Sequence, residues 1–161
     1  MKLTTGSTFF SWIGLAFWVV LSFAAAGVGS RFSPGDWYAN LAKPAFNPPA
    51  WVFAPVWTLL YLTMGIAAWL VWRQRRVARV TPALALFLVQ LALNAAWSWL
   101  FFGRHYIGWA LVDLVALWLA IGATIPVFWT HRPLAGFLMI PYFLWVSFAA
   151  LLNFQLWRLN S

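Results

Sequence analysis

Five stretches of this chain, 9–27, 51–72, 82–102, 108–129 and 134–157, are each about as long as a membrane-crossing helix and almost free of charge. A helix needs about 20 mostly apolar residues to cross a hydrocarbon core of about 30 Å. Barrel strands would alternate apolar and polar residues over about 10 positions, whereas these runs are apolar on both faces. The pattern predicts an all-α membrane protein, a bundle of five transmembrane helices forming a single domain over 1–161. The remaining composition agrees, with 65% hydrophobic and 7% charged residues. There is no Glu, and Asp occurs only at 36 and 113. A water-soluble domain could not cover its surface with so few charges.

The first run also resembles a secretory signal, because a basic start and an apolar core lead to the small residues Ala24, Ala25 and Ala26. Its length exceeds that of a typical signal core, and its removal would leave four spans, so it is expected to stay as a span. The net charge of +8 falls at the ends of the apolar runs, where it acts as an orientation signal and a contact for lipid headgroups. Nucleic acid is not an expected partner. Lys2, Arg73, Arg75, Arg76, Arg79 and Arg132 lie on the N-terminal side, against Arg31, Lys43, Arg104 and Arg158 on the other. In a bacterial cell membrane, the favoured location, this bias puts the N-terminal side in the cytoplasm.

The longest connection, between the first and second spans, contains WYANLAKPAFNPPAWVFAPVW. Pro44, Pro48 and Pro49 each fix φ and remove an N–H, so KPAFNPP is stiff, extended and unable to span the membrane. It is expected to lie over one mouth of the bundle. Trp37, Tyr38 and Trp51 suit the membrane interface, and they equally suit a lid over a cavity.

Stripes of aromatic and amide residues mark three spans. In the third, Gln90, Asn94, Trp97 and Phe101 share one face. In the fifth, Pro141, Trp145, Phe148, Ala149, Leu152 and Asn153 do so, with Ala149 opening space between rings. In the second, Trp57, Tyr61 and Gly65 align. Amides in hydrocarbon require partners, so these faces should meet protein or a cavity rather than lipid. The stripes fit either a packed core or the walls of an apolar ligand cavity.

Asp113 is the acid inside a span; a carboxylate there is either a functional candidate or paired with a loop cation such as Arg104, and the pairing is the favoured expectation. His105 and His131 stand apart in loops, no Gly-rich phosphate loop is present, and no nucleophile–base pair is visible. With no Cys there is no disulfide, thiolate nucleophile or Cys-based metal site, and no metal or resident cofactor is expected. On the third span Ala92 and Ala96, following Ala85, have the spacing that lets backbones approach closely, which predicts a homodimer through this helix.

Three segments together, WYANLAKPAFNPPAWVFAPVWTLLY, QLALNAAWSWLFFGRHYIGWALVDL and PYFLWVSFAALLNFQLWRLN, resemble the TspO/MBR family. It comprises the translocator, or peripheral benzodiazepine, receptors of mitochondria and the bacterial tryptophan-rich sensory proteins. The resemblance covers essentially the whole chain. It implies a five-span, commonly dimeric protein that binds porphyrins such as protoporphyrin IX and haem, sterols, and isoquinoline carboxamides beneath the first loop. Carried over by motif, the ligand-binding residues would be Trp37, Tyr38, Pro48, Trp57, Asn94, Trp97, Trp109, Trp145, Ala149 and Leu152. The resemblance also implies a receptor- or transporter-like role, with light-dependent porphyrin degradation as the alternative. In that alternative Trp57 and Trp145 would be the catalytic candidates. At the family's sterol pattern LNFQLWR departs, with Phe154 in place of Tyr before Arg158; Arg104, Tyr106 and Leu111 satisfy the reversed pattern.

Overall fold

A computed structural model of the chain describes the backbone of residues 5–32 and 34–161 and the side chains of residues 11–32 and 34–161. Lys2, one of the charges in the orientation count, lies outside the described residues. The elements are α1 (Thr5–Gly29), α2 (Asp36–Asn40), α3 (Phe53–Trp72), α4 (Thr81–Ser98), α5 (Ile107–His131) and α6 (Pro133–Asn160). No strand occurs among the described residues. Five helices are long and apolar enough to cross a membrane: Ser11–Gly29, Ala50–Trp72, Thr81–Gly103, Ile107–His131 and Pro133–Asn160. They fall on the five apolar runs. Pro82 and Pro133 sit in the first turns of α4 and α6, where the missing N–H costs nothing and the fixed φ already suits a helix.

The five long helices close into a ring in the order α1, α3, α6, α5, α4. Successive helices α3 and α4 make only a minor contact, because each packs chiefly on α1 and on one C-terminal helix. Glycine sets the closest approach. A Cβ on Gly65 of α3 would lie 2.7 Å from the Val19 Cα of α1, and one on Gly136 of α6 would lie 2.9 Å from the Ile125 carbonyl oxygen of α5. At the end of the ring that carries the 73–80 loop the centre is solid, filled by Met64, Ala67, Ala68, Phe87, Phe128 and Met139, all fully buried. Phe87 and Phe128 stack across it with centroids 5.9 Å apart.

Two local features at the other end were not anticipated. The connection between α1 and α3 folds in part as helix α2, and its proline segment makes a turn, with Asn47 N–H donating to the Pro44 carbonyl at 3.0 Å. A 3-10 turn, Ala50–Val52, then leads into α3. The end of α4 widens into a π turn, Trp99–Gly103, a form that recurs near functional sites. His105 follows with φ 58°, a left-handed conformation that a non-glycine residue adopts at some cost.

Candidate functional site

Beneath the α1–α3 connection the ring is hollow. A cavity of about 860 Å³ lies between the helices, covered by Tyr38, Lys43, Asn47 and Pro48. Its walls carry Trp57 from α3, Trp97 from α4 and Trp145 from α6, with Ala149 and Leu152 on the same side as Trp145. Parts of all three sequence stripes therefore converge on one space, while Gly65, Gln90, Pro141 and Phe148 are not among its walls. Each indole is braced. Trp57 stacks on Tyr61 at 5.3 Å, Trp145 meets the edge of Phe53 at 6.0 Å, and Trp97 Nε1 donates to Asn153 Oδ1 at 3.0 Å. Asn153 Nδ2 in turn donates to the Ile107 carbonyl at 3.0 Å, which ties this wall to the start of α5.

Tyr61 and Asn94 close the floor. The Tyr61 hydroxyl donates to Asn94 Oδ1 at 2.5 Å, and Asn94 Nδ2 donates to the Tyr142 hydroxyl at 3.0 Å. Three helices are thus joined by one buried amide, the arrangement that removes the penalty of a polar group in hydrocarbon. Gln90, one turn deeper and fully buried, differs: neither amide atom bonds to the described protein. Of the two amides on α4, Asn94 therefore has the partners the sequence calls for, and Gln90 has none among the described residues.

In the cover, the Tyr38 hydroxyl donates to Asn47 Oδ1 at 3.3 Å, closing the loop on itself. Burial pushes the Tyr38 phenol up from its usual value, and the bond to Asn47 opposes that shift. Trp37 does not line the cavity. It packs flat against the His105 ring at 4.0 Å and against the edge of Phe101 at 5.7 Å, holding α2 against the π turn that ends α4. Trp109 is also off the cavity. It is 67% exposed and borders a shallow outer groove with Gly108, Val112 and Trp157, since its position on α5 is turned away from the ring's centre. Leu114 and Leu117 face inward from that helix instead. As leucines among leucines, they carried no signal that could have selected them from the sequence.

The expected Asp113–Arg104 pair does not form. Arg104 sits on the exposed turn before α5, its guanidinium 5.4 Å from the Tyr106 ring centre and 5.9 Å from that of Trp99. Asp113 lies inside α5, and its Oδ2 is buried without a hydrogen-bond partner. At the C-terminal sterol pattern, Arg158 stands over the Phe154 ring at 5.9 Å.

A ring of five membrane-spanning helices around a capped, aromatic-walled cavity that ends blindly above a packed core defines the class: a multi-pass membrane protein with an apolar chamber inside its bundle. Residues 14–158 match the TspO/MBR family. The chain is 44% identical over 138 residues to the translocator protein of Homo sapiens, covering 83% of this chain and 82% of that one. It is 40% identical over 152 residues to protein CrtK of Rhodobacter capsulatus, covering 90% and 91%. It is 41% identical over 140 residues to the tryptophan-rich sensory protein of Cereibacter sphaeroides, covering 85% of each. The chain belongs to the TspO/MBR family.

Proposed function

We propose that the chamber is a receptor site for a flat, mostly apolar ligand of the porphyrin class. The supporting observation is the convergence of Trp57, Trp97 and Trp145, from three helices, on one cavity of about 860 Å³. That volume falls within the range of about 300 to 1,000 Å³ usual for small-ligand sites. Indole faces stack on a conjugated macrocycle without any chemical step, and polar groups of the lining, among them Tyr61 and Asn94 at the floor and Lys43 at the cover, serve to orient it. The ten residues carried over by motif divide accordingly: eight of them form the proposed contact surface, Trp37 supports the cover, and Trp109 faces outward.

Protoporphyrin IX titrated into the purified protein in darkness, and followed by its own absorbance, should show saturable binding that sterols or isoquinoline carboxamides compete away. A linear, unsaturable response would reject the reading. The degradative alternative has its own support, in that Trp57 and Trp145 border the same space. Illumination of the complex separates the two: porphyrin recovered intact favours binding alone, and stoichiometric loss favours degradation.

A homodimer through α4 belongs to the same reading. Its support is that Ala85 and Ala92 are exposed on the outer face of that helix, with Ala96 half-buried beside them. Ala92→Leu combined with Ala96→Leu should weaken cross-linking in detergent, and an unchanged dimer would reject this contact.

A further inference from the structure

The covering loop is held at its middle by a residue remote in sequence. Asn160, the last residue of α6, uses both ends of its carboxamide on the backbone of Ala42. Its Oδ1 accepts from the Ala42 N–H at 2.9 Å, and its Nδ2 donates to the Ala42 carbonyl at 3.0 Å. The second Nδ2 hydrogen goes to the Leu156 carbonyl one turn back, at 2.8 Å, so the amide plane is fixed from its own helix. The pairing reproduces what two strands exchange at a hydrogen-bonded position.

The loop needs such a partner at this point. Leu41 N–H turns back to the Tyr38 carbonyl at 3.3 Å. Lys43 Nζ caps the Ala39 and Leu41 carbonyls at 2.8 and 3.2 Å. Pro44 has no N–H to offer. Ala42 lies between these local closures, and among the described residues its backbone bonds to Asn160 alone. Tyr38 and Ala39 line the cavity before it, and Lys43, Asn47 and Pro48 line it after. Leu156, to which the amide is tied, also lines the cavity. One helix thus supplies a wall of the chamber and the fastening of its cover.

We propose that Asn160 is a positioning residue for the ligand site: its two-point grip on Ala42 sets the height of the covering loop over the chamber and so governs how long a ligand stays inside. The proposal rests on the chamber being the ligand site. An amide is required. Asp is the same shape but, ionised, offers only acceptors and would set an oxygen against the Ala42 carbonyl, while Gln is one methylene too long to keep the Leu156 tie in register.

The position is exposed, so Asn160→Ala and Asn160→Asp should both fold. Hydrogen exchange of wild type and variants, together with protoporphyrin IX dissociation rates in darkness, tests the proposal. Loss of the bond to the Ala42 carbonyl in both variants, and of the bond to its N–H as well in Asn160→Ala, should speed exchange over residues 36–49, leave the 73–80 loop unchanged, and raise the porphyrin dissociation rate about 10-fold. Unchanged exchange over 36–49 would overturn the grip. Faster exchange with an unchanged dissociation rate would overturn the positioning role. A wild-type protein that takes up no porphyrin would defeat the ligand reading instead, and the exchange data would still decide whether the grip exists.

Discussion

The two ends of the bundle are built from the same five helices and have opposite interiors. Towards the 73–80 loop, small residues let the helices close and Met64, Phe87, Phe128 and Met139 fill what remains, each fully buried. Towards the α1–α3 connection, indoles stand on the inner faces, propped by Tyr61, Phe53 and Asn153, and the ring stays open over about 860 Å³. Large side chains therefore do not by themselves make a core. Rings that are each held by a neighbour within the chamber's own lining leave the space between them open, whereas one that meets another ring across the centre, as Phe87 meets Phe128, fills it. The Tyr61–Asn94–Tyr142 layer marks the change from one regime to the other.

The packed end gives the largest expected effect. Gly65→Val puts a branched side chain where even a Cβ would lie 2.7 Å from the Val19 backbone; nothing flexible can yield, and the cost should reach about 3 kcal/mol, the upper part of the overpacking range. Thermal unfolding in detergent measures it, and an unshifted midpoint would show that α1 and α3 are free to separate. The hollow end should tolerate added bulk but lose affinity for the proposed ligand. Ala149→Phe places a ring inside the chamber at a cost to binding of about 1 to 3 kcal/mol, so protoporphyrin affinity should fall roughly 5- to 150-fold while helicity by circular dichroism is retained. A variant that binds as tightly as wild type would mean that the α6 stripe is only core.

The boundary layer sharpens the contrast, because two amides one turn apart should respond with opposite signs. Asn94→Leu strands the Tyr61 and Tyr142 hydroxyls and should destabilise by about 1 to 3 kcal/mol. Gln90→Leu removes an amide that bonds to nothing in the described protein and should be neutral or stabilising by up to about 1 kcal/mol. Equal losses from the two substitutions, measured by thermal unfolding in the same detergent, would refute the distinction between them.

The sequence by itself determined that the chain lives in a bilayer, where its five spans lie, that the KPAFNPP segment interrupts them, and to which family its three motifs belong. Each of these is local: hydrophobic run length, proline chemistry and motif order are read along the chain without reference to neighbours. Tertiary structure alone decided the ring order, which puts α3 and α4 on opposite sides of α1. It also decided that Asn94 is partnered and Gln90 is not, that Trp97 faces the chamber while Trp109 faces away, and that Arg104 turns to Tyr106 and Trp99 instead of Asp113. The grip of Asn160 on Ala42 spans 118 residues and leaves no periodic trace. The physical reason lies in the solvent. In water a polar outer face marks which side of a helix is inside, but lipid is as apolar as a protein core, so an inward and an outward tryptophan have the same surroundings by composition and only packing tells them apart.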